Sequence, residues 1–182
     1  PRRQRKLCIR DRRYTHESIR AFADGIGVGK RENMIDVAHL EFCAREDLNK
    51  KTDRVMAVLD PIKLVLTNYP EGEHELLVAE NNPEDENSGS RTMPFSRNLF
   101  IERSDFKEEA NAKYFRLTIG KEVRLKNGYI IKGEAVVKDQ NGEIIAVHAT
   151  YDPDSKSGSG SEASLRKVKG TIHWVSQEQA LD

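Results

Sequence analysis

The sequence predicts a mainly β fold, an antiparallel barrel preceded by a small helical subdomain, and three observations carry that expectation. The apolar period changes from the helical 3.6 to the strand value of two after Asp53. From there the apolar runs are short and broken by Pro, Gly, Asn and Asp, which favours a barrel or sandwich over a layered α/β fold. Two Asn-Gly pairs, Asn127-Gly128 and Asn141-Gly142, stand between alternating runs and signal tight hairpin turns.

Taken in order, residues 1–13 hold seven Arg or Lys with little apolar periodicity and read as an extended basic lead-in. Residues 14–53 form the helical subdomain. Thr15 is a good N-cap, and Glu17 in the first turn complements the helix dipole. Ile19, Phe22, Ala23 and Ile26 make one apolar face, and Gly25 and Gly27 end the helix. A second helix is expected from Glu32 to Asn49, with Ile35, Ala38 and Phe42 as its stripe and Met34, Val37 and Leu40 widening it.

Residues 54–182 form the β region. Strands are expected over Arg54–Leu59, Ile62–Asn68 and Glu75–Glu80, with Asp60-Pro61 and Tyr69-Pro70 as breaks. Residues 81–90 are acidic and turn-rich, and Phe95–Glu102 returns to strand. Ser104 can cap a short helix ending near Asn111, with Asp105 in its first turn. Residues 152–164, rich in Ser and Gly, read as a flexible loop before a last strand, Lys167–Ser176.

Thirty Lys and Arg balance thirty Asp and Glu, which argues against a wholly basic nucleic-acid wrapper. The charges are nevertheless segregated. Residues 71–109 carry eleven acids and four Arg or Lys, whereas 113–139 carry seven Arg or Lys and three acids. Such an arrangement can build one electropositive face on a neutral molecule, or only a solvated strand face. No apolar run approaches a membrane span. Cys8 and Cys43 lie apart without a paired-Cys motif and read as reduced packing thiols, and the five His show no ligand spacing, so no metal is expected. Gly25-Ile-Gly27-Val-Gly29 follows a helix and is not a phosphate loop, and Asp60, Asp152 and Asp154 read as turn formers.

Strand alternation gives the sharpest inference. Along 122–127, Val123 and Leu125 share one face while Arg124 and Lys126 share the other. Along 113–117, Phe115 and Leu117 are expected inward and Tyr114 and Arg116 outward. Planar donor forks, an ammonium and a stacking ring are the set that reads unpaired RNA bases. Cross-strand ion pairing with Glu122 or Glu134 explains the same residues equally well.

A series of strings then narrows the choice: Arg54-Val-Met-Ala-Val-Leu-Asp-Pro61, Thr67-Asn-Tyr-Pro-Glu-Gly72, Phe95-Ser-Arg97, Lys113-Tyr-Phe-Arg-Leu117, Gly120-Lys-Glu-Val-Arg-Leu-Lys126, Thr150-Tyr-Asp-Pro153 and Gly170-Thr-Ile-His-Trp-Val-Ser176. Their order and spacing resemble the anticodon-binding region of the glutaminyl-tRNA synthetases, a family of class I aminoacyl-tRNA synthetases, from about Tyr14 to Ala180. The resemblance implies β-barrels similar to ribosomal 5S-RNA-binding proteins, following a helical subdomain and gripping an anticodon loop with its bases spread apart. The second barrel is expected to be incomplete within this sequence. By matched position, Arg54 is implied at the middle anticodon base and Arg116, beside Tyr114, at the third. Arg124 and Lys126 are implied at the first. Two departures stand out: Lys126 replaces a frequent Arg, which removes a bidentate fork, and Phe115 occupies a position where Lys occurs among relatives.

The family's His-Ile-Gly-His and Met-Ser-Lys-Arg-Lys-Leu motifs are not in the chain. The chain is therefore expected to bind tRNA and to catalyse nothing alone, without catalytic residue, metal or cofactor of its own. ATP with Mg would serve the parent enzyme, a glutamine-joining ligase. The implied partner is the anticodon loop of the glutamine tRNA, with no DNA or membrane, in a monomeric cytoplasmic protein. An archaeal or eukaryotic type of glutamyl-tRNA synthetase and a stand-alone RNA-binding barrel remain as alternatives.

Overall fold

In the computed structural model, which describes residues 14–29, 33–111 and 113–180, the chain divides into two units. The first comprises residues up to Arg54 together with Glu80–Gly89, and the second Val55–Ala79 with the chain from Ser90 onward. The basic lead-in over 1–13, Cys8 included, lies outside the described residues.

Helix α1 (His16–Ile26) starts where the sequence suggests, with Thr15 Oγ1 accepting from the Ser18 amide at 3.2 Å, and ends at Gly27 with φ 69°. Helix α2 (Val37–Lys51) starts later than the expected Glu32, itself outside the described residues, because Asp36 caps it through the Ala38 amide at 2.9 Å. Met34 and Ile35 therefore precede the helix instead of forming its stripe. Thr15 also donates to Asp47 at 2.6 Å, which joins the two helices. The buried Asn82 amide donates to the carbonyls of Asn49 and Thr52 at 3.0 and 3.2 Å, satisfying acceptors that the end of α2 leaves open.

The second unit is mainly β. Its strands are β1 (Pro61–Leu66), β2 (His74–Glu80), β3 (Ser90–Ser96), β4 (Asn98–Glu102), β5 (Glu122–Leu125), β6 (Ile130–Lys138), β7 (Ile144–Asp152), β8 (Thr171–Ile172) and β9 (Val175–Ser176). Seven of them form one sheet in the order β8-β5-β6-β7-β1-β4-β9, and β2 pairs with β3. The two Asn-Gly pairs make the β5–β6 and β6–β7 turns, Asn127 with φ 58° and Gly142 with φ 85°. The expectation of a wholly antiparallel sheet is corrected, because β1 runs parallel to β7 and β5 parallel to β8. Hairpin signals report only neighbours in sequence, and these two pairings join distant segments.

The sheet must curl. Its outermost strands, β8 and β9, are separated by only His173 and Trp174. Three residue steps reach at most about 11 Å, so the two edges come close together there. Trp174 and Phe95 fill the interior, both at most 1% exposed, with ring centroids 5.2 Å apart. Leu64, Leu66, Leu99, Leu125, Ile131 and Val147 pack around them. Tyr129 donates to the Glu75 carboxylate at 2.5 Å, and Lys156 pairs with the same carboxylate. Burial pushes Glu75 up, but these two donors together hold it below its ordinary value.

Several local expectations fail for identifiable reasons. Residues 54–59 form no strand, since the amides of Leu59 and Asp60 donate to the Glu102 carboxylate at 2.9 and 3.0 Å instead of to a ladder. Phe95–Glu102 divides into β3 and β4 at Arg97. The helix expected from Ser104 reduces to a 3-10 turn, Arg103–Asp105, without a side-chain cap. Residues 113–117 are not a strand: Tyr114 turns back to the Asn111 carbonyl at 3.1 Å, and Phe115, expected inward, is 49% exposed. The 152–164 loop folds into a 3-10 turn, Pro153–Ser155, and a one-turn helix, α3 (Glu162–Leu165). The single last strand is two short ones on opposite edges of the sheet.

Gly170 allows the 113–117 segment to lie against the sheet. A Cβ there would stand 2.0 Å from the Phe115 carbonyl oxygen and 3.2 Å from Val123 Cγ1. Overpacking of this kind typically costs about 1–3 kcal/mol, and each kcal/mol lowers the melting temperature by about 2–4 °C at this chain length. Gly170→Ala is therefore expected to melt several degrees below the parent by near-UV circular dichroism. An unchanged midpoint would show that residues 113–117 yield freely.

Candidate nucleic-acid interface

Strand β5 presents its residues as alternation requires. Val123 and Leu125 are buried, while Arg124 and Lys126 lie on the other face, both half-buried. The Arg124 fork is committed within the chain. Its Nη1 donates to the Ser155 carbonyl at 2.9 Å and to Ser157 Oγ at 3.2 Å, and its Nη2 to the carbonyls of Ser164 and Arg166 at 2.8 and 3.2 Å. One guanidinium thus gathers the 3-10 turn and α3 of the 152–166 loop onto β5. Burial lowers its pKa, and the neighbouring Arg166 adds to that effect.

The ion pairs do not follow the simplest cross-strand expectation. Glu122 pairs with Arg166 at 2.8 Å, and Arg166 also holds Asp152 at 3.2 Å. Glu134 accepts from Thr150 at 3.1 Å. Lys126 forms no ion pair among the described residues.

Arg116 is held by Asp105, Nη1 to Oδ1 at 2.7 Å, with the carboxylate buried and the guanidinium 48% exposed. Burial pushes the Asp105 carboxyl above its ordinary value, and the Arg116 charge opposes this only in part. Tyr114 donates to the Ser104 carbonyl at 3.0 Å, and the Lys107 ammonium stands 5.1 Å from its ring centroid. His173, on the link between β8 and β9, is lowered by desolvation and by Lys126, with Asp105 opposing. Arg116, Lys126, Asp105 and His173 therefore share one electrostatic neighbourhood. Asp105 and His173 were not among the expected site residues, and no spacing in the sequence signals them, because long-range strand pairing brings them there.

Arg54 belongs to the first unit. Its Nη2 donates to Glu84 Oε1 at 2.6 Å and to the Asn49 carbonyl at 3.4 Å, and its Nε is enclosed without an acceptor among the described residues. Among the described residues, no group of three or more His, Cys, Asp or Glu gathers as a metal site, and no helix is long and apolar enough to cross a membrane. What the second unit offers is a face of positioned cations and aromatic rings, suited to phosphate and unpaired base recognition.

Comparison with known proteins points the same way. Residues 52–152 match the family model described as the anti-codon binding domain of class I (E and Q) tRNA synthetases. Proteins named glutamine–tRNA ligase are similar over nearly the whole chain. That of Clostridium perfringens is 53% identical over 96% of this chain, that of Rhodopirellula baltica 55% over 99%, and that of Proteus mirabilis 52% over 95%. The chain spans 31%, 30% and 31% of their respective lengths.

Two outcomes are expected from this geometry. Hydrogen bonds from a charged group are worth about 1.5–3 kcal/mol, so Arg124→Ala should raise the open population of the 152–166 loop at least roughly tenfold. Tryptic cleavage at Lys156 or Arg166 should accelerate accordingly, and Arg124→Lys should not restore resistance because one ammonium cannot replace the fork. Equal cleavage rates would show that the clamp does not hold the loop. For Asp105, a raised folded pKa means that the folded state binds more protons than the unfolded one above the ordinary carboxylate value. Its contribution to stability therefore falls as pH rises through that window. Asp105→Asn should gain in melting temperature relative to the parent between about pH 3 and pH 6, and a pH-independent difference would contradict this.

Proposed function

We propose, because the chain belongs to the anticodon-binding domain family of class I (E and Q) tRNA synthetases, that it is the anticodon-reading part of a longer glutamine–tRNA ligase. One observation carries the reading: the matched residues 52–152 contain every cation of the candidate face as well as Arg54. In this reading Arg116, aligned by Asp105 beside Tyr114, contacts the third anticodon base, and Arg54 contacts the middle one. Lys126 supplies charge at the first base. Arg124 serves the same pocket by ordering the 152–166 loop, since its donors are engaged by that loop. The parent would join glutamine to its tRNA in the cytoplasm with ATP and Mg, acting as a monomer. Neither nucleotide-binding motif occurs in these 182 residues, so that chemistry is assigned elsewhere in the protein.

The test is a titration of the chain with anticodon stem-loops of the glutamine and glutamate tRNAs over a range of salt. The glutamine loop should bind more tightly, with a shallow salt slope of about −0.7 per phosphate contact. Lys126→Ala should weaken all loops by similar factors. Arg116→Ala should cost roughly tenfold, with reduced discrimination at the third base, since base contacts are worth about 1–3 kcal/mol. Preference for the glutamate loop would favour the glutamyl reading, and salt-independent binding would remove the electrostatic interface altogether.

A further inference from the structure

A cavity of about 640 Å³ opens beside the Arg116 face, and the roles given above to Arg54, Tyr114, Arg116, Arg124 and Lys126 do not use its most unusual feature. Phe115 lines it with its ring 49% exposed, and the Lys169 ammonium stands 5.6 Å from the ring centroid. An exposed phenyl ring costs solvation without forming a core contact, so its position calls for an explanation. Lys121 and Lys132 line the same cavity, and neither they nor Lys169 forms an ion pair among the described residues. The one carboxylate on the wall, Glu122, is already held by Arg166 at 2.8 Å. The volume lies within the usual range for small-ligand sites, about 300–1,000 Å³.

An aromatic ring surrounded by unpaired ammonium groups is complementary to a flat, electron-rich ring that carries a phosphate. We propose that this cavity is a stacking subsite for one unpaired nucleotide of the bound RNA, with Phe115 against the base and Lys121 or Lys132 on its phosphate. The inference rests on the RNA-binding reading above and adds a ligand subsite and a residue to it. Gly170 supports the placement, since the 2.0 Å approach that a Cβ would make to the Phe115 carbonyl shows how tightly the backbone beneath the ring is seated. Because every base has a π face, stacking tolerates any sequence. Phe115 therefore contributes affinity, whereas discrimination remains with the hydrogen-bonding side chains.

The experiment measures binding of the 182-residue chain to the glutamine anticodon stem-loop and to a set of loops with one abasic position each. Phe115→Leu, which keeps apolar bulk without a π face, should weaken binding to the intact loop by roughly 5- to 150-fold. Phe115→Trp should preserve it. One abasic loop should bind parent and Phe115→Leu equally, which identifies the stacked nucleotide, and exchanging purine for pyrimidine at that position should change affinity little. Phe115→Lys should steepen the salt slope by about 0.7 as charge replaces stacking. If the parent binds the loop but Phe115→Leu binds equally well, the subsite is wrong and the RNA reading stands. If every abasic loop keeps the Phe115→Leu defect, the ring acts through folding and the subsite is likewise wrong. If the parent does not bind the loop at all, both readings fall together.

Discussion

Trp174 joins the two ends of the curled sheet, and the rest of the second unit depends on that junction. Its indole Nε1 donates to the Lys126 carbonyl at 2.9 Å, while its ring lies 5.2 Å from Phe95 in an edge contact. On one side of it Ile172 accepts from the Lys126 amide in β8, and on the other Val175 and Ser176 pair with Phe100 and Leu99 in β4. The backbone of Lys126 is therefore held on both its donor and its acceptor. A buried indole needs such an acceptor, since leaving a polar group unpaired in an apolar interior is costly. The same requirement that satisfies Trp174 also positions the side chain of Lys126 on the opposite face. His173, next in the chain, emerges on the exposed side beside Asp105 and Arg116.

The outward face is preorganised by intramolecular pairing rather than by excess charge. Asp105 aligns Arg116, Glu122 and Asp152 hold Arg166, and the fork of Arg124 is spent on four oxygens of the 152–166 loop. The lysines around this framework, Lys121, Lys126, Lys132 and Lys169, form no ion pair among the described residues. A chain with zero net charge thereby presents a local surplus of cations. Fixing the arginines before binding reduces the ordering cost that an RNA ligand would otherwise meet.

What was legible in the sequence was whatever local chemistry determines. Thr15 as a cap, the Asn127-Gly128 and Asn141-Gly142 turns, and the alternation of β5 all depend on a few adjacent residues, and all appear as read. The motif strings pointed to the family that the comparisons show. Failures arose where a distant group supplied the hydrogen bonds. Glu102 takes the amides of Leu59 and Asp60, so a segment with strand composition forms no strand. Phe115 was placed inward by a period of two that applies only within a strand, and residues 113–117 are turn and coil. The Arg124 clamp, the Asp105–Arg116 pair and the parallel β1–β7 pairing involve separations that no single-sequence periodicity encodes.

The central claim is that an unpaired RNA loop lies across the face bearing Arg116 and Lys126. Photo-crosslinking from 4-thiouridine placed in the anticodon of a glutamine tRNA stem-loop, with peptides mapped by mass spectrometry, tests that claim most directly. Crosslinks are expected in the segments 113–117, 121–126 and 168–174, and they should decline with rising salt as the phosphate contacts weaken. Crosslinks confined to other segments, such as the β6–β7 turn at Asn141-Gly142, would contradict the account.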